Sequence, residues 1–144
     1  MKLGVVMGDI ARVHPKKDTT LGLLDAARRR GWALSYFTPV DLWLQDGEVR
    51  GAARALDVRL GRERWFELGP ARDAPLASLD AVLMRLDPPV DEAYIAACHM
   101  LEMAEGVLVV NDPAGVRAAN EKMFAQRFAA FQPPTLMSLS LIHI

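Results

Sequence analysis

The clearest hydrophobic signal is the run at residues 3–7, compact, valine-bearing and closed by Gly8-Asp9. A short apolar stretch without alternation predicts a strand covered on both faces, as in a parallel sheet. Beyond the polar residues 11–17, Asp18 or Thr19 can cap a helix that places Leu21, Leu24 and Ala27 on one side and stops at Gly31. A second strand is expected at residues 33–37, and strand, helix and strand in that order make a right-handed crossover unit. The middle of the chain changes character. Asp46-Gly47 is a two-residue hairpin signal, and residues 56–60 alternate apolar with charged side chains, so an antiparallel excursion is expected there. Trp43, Trp65 and Phe66 flank it and are assigned to covering its apolar face.

Residues 79–84 restore the parallel-strand pattern and end in Arg85-Leu86-Asp87-Pro88-Pro89, where two prolines stop the strand. Asp91 can cap a helix with Tyr94, Cys98 and Leu101 inward, finishing near Gly106. A strand at 107–110 and a helix opened by Asn111-Asp112-Pro113 follow. A last helix is read over 121–131, carrying Met123, Phe124, Phe128 and Phe131 as apolar surface in need of a partner. The fold class is α/β, an open and mostly parallel, Rossmann-like sheet with helices on both faces and an antiparallel hairpin excursion.

Composition narrows the function classes. With 51% hydrophobic residues in 144, the chain can bury a core of its own. A formal charge of −1, from 17 basic and 18 acidic side chains, provides no field for nucleic acid or an anionic membrane. Arg28-Arg29-Arg30 sits at a helix end, where cations complement the dipole. Cys98 stands alone, so an intrachain disulfide is excluded and a reducing, cytoplasmic setting is expected. Neither a signal peptide nor a bilayer-spanning segment can be written.

In open α/β sheets, ligands bind beyond the carboxyl ends of strands. Three such ends are legible: Met7-Gly8-Asp9, Met84-Arg85-Leu86-Asp87 and Asn111-Asp112. Arg85 can hold a carboxylate by a two-pronged hydrogen bond, with Asp87 orienting it or binding an amine. The other reading is an Arg85–Asp87 pair that merely fixes the loop. Gly8 and residues 12–17 match neither the P-loop spacing nor the dinucleotide glycine fingerprint. His14 and His99 lack metal-ligand partners by spacing and read as ordinary surface or half-buried histidines, and no Ser-His-Asp set can be assembled. Spacing therefore ends at an α/β domain with a polar ligand-facing edge, and no catalytic or metal-binding residue is assigned.

The order of several segments resembles bacterial glutathione synthetase, a ligase of the ATP-grasp type. The resemblance is carried by Lys2-Leu3-Gly4-Val5-Val6-Met7, Lys17-Asp18-Thr19-Thr20, Ala27-Arg28-Arg29-Arg30-Gly31, Asp41-Leu42, Pro75-Leu76-Ala77, Leu83-Met84-Arg85, Asp87-Pro88-Pro89, Asn120-Glu121-Lys122 and Pro133-Pro134-Thr135-Leu136. The chain departs from the family in Gly8-Asp9-Ile10, where Asp-Pro-Ile is usual, and in Leu86, where lysine is common. The resemblance implies that γ-glutamylcysteine and glycine are joined with ATP through an acyl phosphate, with Mg2+ (or Mn2+) on the nucleotide phosphates. It implies residues 1–120 as the domain preceding the ATP-grasp fold and 121–138 as the start of that fold. The glycine-rich lid and the metal ligands are expected further on, so the chain alone is expected to be inactive.

On the same basis Arg85 becomes the substrate-carboxylate contact, with Asp87 and Asp9 as further substrate-binding candidates and Lys122 as an ATP-binding lysine. Homo-oligomers are expected of the complete enzyme. Residues 139–144 back-translate to CTG TCT CTT ATA CAC ATC, the end of a sequencing-library transposon adapter, and are expected to be foreign to the natural protein. Two other readings stay open: an ATP-grasp ligase for a different carboxylate and amine, and a non-enzymatic binding module ending where this chain ends.

Overall fold

The computed structural model describes residues 1–119, 122–138 and 140. Seven strands form one mixed sheet: β1 (Lys2–Met7), β2 (Ala33–Phe37), β3 (Leu42–Gln45), β4 (Glu48–Val58), β5 (Phe66–Pro75), β6 (Ala81–Arg85) and β7 (Leu108–Val110). The helices are α1 (Thr19–Arg29), α2 (Glu92–Glu102) and α3 (Pro113–Ala118). The strand order is β3-β4-β2-β1-β6-β7, and β5 lies along β4. β2, β1, β6 and β7 run parallel, whereas β4 is antiparallel to β2, β3 and β5. The parallel α/β unit is thus as expected, and the antiparallel excursion comprises three strands rather than one hairpin.

β1 explains the two-layered core. Successive side chains leave a strand on opposite faces. Leu3, Val5 and Met7 therefore join one cluster with Leu21, Leu24 and Ala27 of α1, whereas Val6 joins Phe37, Val82, Met84, Cys98 and Leu101 of the other. An unbroken apolar run becomes a strand buried on both sides because a helix lies over each. Among the described residues no helix is long and apolar enough to cross a membrane.

Local chemistry sets the element ends. The Asp18 carboxylate accepts from the Leu21 N–H at 2.8 Å and caps α1. Past its C-terminus, Gly31 takes φ +74°, a left-handed conformation that a side chain would strain. In the last turn Arg29 pairs with the buried Asp25 at 2.6 Å, and Arg28 lies 3.6 Å from Asp25 and 3.8 Å from Asp57. Those cations thus offset a buried carboxylate as well as the helix dipole. Asp46 and Gly47 both have positive φ, 50° and 84°, as a two-residue hairpin turn with the right twist demands. The Trp65 and Phe66 rings lie 4.6 Å apart, tilted by 54°, against the α1-side core, and Trp43 is half-buried on β3.

Asp91 caps α2 through the Tyr94 N–H at 2.9 Å, and Asp112 caps α3 with Pro113 in its first turn. Cys98 is buried on the inner face of α2, and that burial pushes its thiol pKa up. The expectation of a helix over 121–131 is corrected. A 3-10 run spans Phe124–Phe131 and is interrupted at Phe128 (φ −113°, ψ 36°), while Glu121 lies outside the described residues. Met123, Phe128 and Phe131 are exposed, and a short helix without a surface to pack on lacks most of its usual stabilisation. Residues 133–136 are irregular, since Pro133 and Pro134 have no N–H for a ladder. Of the segment 139–144, only Ser140 is among the described residues.

Candidate functional site

β1 and β6 are parallel neighbours with Met7 opposite Arg85, so the segments that follow them leave the sheet side by side. Between them and the start of α1 lies a cleft of about 420 Å³. One set of lining residues is acidic (Asp9, Asp18 and Asp87), and the other is basic or titratable (Arg12, His14 and Lys17), with Gly8 and Val13 between. Both charge signs over a short span suit a small zwitterionic ligand better than a uniformly anionic one.

The candidate residues are placed differently from one another. Asp9 and Asp87 are exposed and line this cleft. Asp9 also caps the 3-10 turn Ile10–Arg12, accepting from the Ala11 N–H at 3.0 Å, and it lies 3.4 Å from the Arg12 guanidinium. Arg85 does not line the cleft. Its Nε donates to Thr20 Oγ1 at 3.0 Å and its terminal nitrogen to Thr19 Oγ1 at 3.1 Å, at the first turn of α1. Among the described residues no carboxylate lies within ion-pair distance of Arg85, so the Arg85–Asp87 pair that would only fix the loop is not formed. Hydroxyls orient a guanidinium without cancelling its charge, which leaves three of its five N–H donors for another acceptor. Leu86 packs half-buried against the α2-side core.

Three contributors escape a reading of spacing alone. Thr19 and Thr20 carry the Arg85 side chain, yet in the sequence they look like ordinary helix-start residues. Tyr36, on β2, is buried; its hydroxyl donates to the Gly8 carbonyl at 2.9 Å and accepts from the Ile10 N–H at 3.2 Å. Burial pushes the phenol pKa up, partly countered by the bond from Ile10. The available signal was a phenol beside Phe37 in a strand flanked by apolar residues, because a buried phenol needs a partner.

Lys122 lies in a separate cleft of about 570 Å³, together with Gln126, Gln132, Thr135, Met137 and Ser138, and its neighbours Asn120 and Glu121 fall outside the described residues. His14 is held locally, its Nδ1 facing the Lys16 N–H at 3.4 Å. His99 is exposed on α2, with its Nδ1 3.1 Å from the Arg117 guanidinium. Among the described residues no three His, Cys, Asp or Glu side chains converge as a metal site requires.

The family model described as prokaryotic glutathione synthetase, N-terminal domain, matches residues 1–117. This chain belongs to that family. The glutathione synthetase of Pseudomonas putida is 48% identical over 96% of this chain and 44% of its own length. That of Yersinia pestis is 44% identical over the whole chain and 46% of its own length, and that of Pseudomonas aeruginosa is 46% identical over 96% and 44%. The chain therefore spans less than half the length of the glutathione synthetases it matches. The match to the glutathione synthetase domain ends inside α3. It takes in the cleft of Asp9 and Asp87, with Arg85 and its threonines, and stops before the cleft of Lys122.

Proposed function

We propose that this chain forms the peptide-facing wall of an ATP-dependent ligase that joins γ-glutamylcysteine to glycine. The observation that carries the reading is the register of β1 against β6, which brings Gly8-Asp9 and Arg85-Leu86-Asp87 to one edge of the sheet inside the matched family domain. In the complete enzyme the peptide carboxylate attacks the γ-phosphorus of ATP and ADP leaves. The glycine amine then attacks the acyl carbon, sheds a proton and expels phosphate. This chain contributes binding to that sequence. Arg85, oriented by Thr19 and Thr20, meets a substrate carboxylate through its remaining donors, while Asp87 and Asp9 face the ammonium end. Lys122 supplies a point charge for a nucleotide phosphate. The described residues do not fit Mg2+ or Mn2+, so no metal-dependent step is assigned to them. The complete enzyme is cytoplasmic and homo-oligomeric in this reading.

A chimera tests it. Residues 1–138 of this chain replace their counterparts in the Pseudomonas putida glutathione synthetase. Magnesium-dependent release of ADP is expected only when both γ-glutamylcysteine and glycine are present, and the 144-residue chain alone is expected to release none. Arg85→Ala in the chimera should raise KM for the peptide by about tenfold or more, as loss of a charge-assisted pair does. A folded chimera that binds ATP yet ignores γ-glutamylcysteine would remove the reading.

A further inference from the structure

The loop after β1 supplies Gly8, Asp9, Arg12 and Val13 to the cleft, and its internal bonds, Ala11 N–H to the Asp9 carboxylate and Arg12 N–H to the Asp9 carbonyl, shape the turn from Asp9 onward without joining it to the sheet. Asp9 and Arg12 are exposed, and their ion pair is long for a salt bridge and open to solvent. Gly8 has no atom within 4 Å of where a Cβ would stand, so neighbouring side chains do not hold the backbone there. Against this stands one phenol. Tyr36 rises from β2, the strand beside β1, and joins the loop at both ends of the Gly8–Ile10 step, donating to one backbone group and accepting from the other. Both hydrogen-bonding capacities of the hydroxyl are used, and Ile10, whose N–H it receives, is buried at 1% exposure. A paired backbone N–H in a dry environment is costly to release.

We infer that Tyr36 is a positioning residue that sets the conformation of the Gly8–Ile10 loop, and through it the affinity of the cleft for a small peptide. Tyr36 does not line the cleft, so it acts through Asp9 and Arg12 rather than by touching the ligand. A phenylalanine would keep the ring packing with Leu34 and Val58 in the core while deleting both loop bonds. The peptide part of this inference rests on the function proposed above.

The test uses the 144-residue chain, isotopically labelled, with amide exchange and γ-glutamylcysteine titration followed by nuclear magnetic resonance. In the unmodified chain the Ile10 amide should exchange at least about tenfold more slowly than the Ala11 amide, whose acceptor is an exposed carboxylate. Tyr36→Phe should speed exchange at Ile10 by about tenfold, leave Val5 and Val6 in β1 protected, and weaken γ-glutamylcysteine by about three- to tenfold. Unprotected Ile10 in the unmodified chain overturns the clamp without recourse to any variant, which covers the case of a variant that does not fold. A faster Ile10 with unchanged peptide affinity overturns the positioning role. If the unmodified chain shows a protected Ile10 but no response to γ-glutamylcysteine, the peptide-wall reading falls and takes the assigned ligand with it, separately from the clamp.

Discussion

The β1–α1–β2 unit and the segment 122–138 are both rich in apolar residues, yet they reach opposite ends. Val5, Leu21, Leu24 and Phe37 are fully buried. Phe128 and Phe131 are 53% and 89% exposed, in a broken 3-10 run. Hydrophobic content is the same kind of signal in both. The difference is that β1 has a helix over each face, whereas no residue of 124–131 is fully buried among the described residues. Burial is a property of a pair of elements, and a single element's pattern states only what it would bury if a partner were there.

That contrast can be broken or sharpened by substitution, with stability read from denaturant unfolding. Phe37→Ala is expected to have the largest effect, a loss of about 3–5 kcal/mol, because it opens a cavity in the second core layer. An effect below about 1 kcal/mol would mean that this layer is loosely packed. Gly51→Ala comes next, at about 1–3 kcal/mol. Its Cβ would stand 2.8 Å from the Phe37 ring and 3.2 Å from the Asp41 carbonyl oxygen, so one of them must move. Removing the α2 cap with Asp91→Ala should cost about 1 kcal/mol, checked by the same midpoint shift. Phe131→Ser should change stability by no more than about 0.5 kcal/mol and lower self-association in sedimentation. A large loss there would show that the aromatic is covered after all, and the two regions would cease to differ.

Much of the α/β unit was legible because its signals agree across levels. Asp18, Leu21, Leu24, Ala27 and Gly31 give a cap, a face and a stop in the right order, and Asp46-Gly47 has the chemistry of its turn. β5 was not legible. Residues 66–75 contain Gly69, Pro70, Arg72 and Asp73 and pair with β4 on one edge only, so neither alternation nor an apolar run marks them as a strand. The last segment misled for the reason given above, its face being real and its partner absent from the described residues.

At the candidate site, Asp9, Arg85 and Asp87 were legible as candidates because strand ends are where ligands meet an open sheet. The resemblance to glutathione synthetase added the expectation that Arg85 meets a substrate carboxylate. What holds these residues was hidden. Thr20 lies 65 positions from Arg85, and Tyr36 lies 28 from Gly8. Such contacts become adjacent only through the strand order, which spacing along the chain does not encode.

That strand order also governs how the chain assembles as it is made. Among the described strands β1 is made before the others, but one of its edges is completed only by β6, and the Lys2 N–H is received by Asp80, 78 positions later. Until then half of the central ladder stands open, and long-range parallel pairing of this kind is slow to form. A nascent chain stalled between β5 and β6 should therefore expose Val5 and Val6 to a chaperone for as long as the stall lasts.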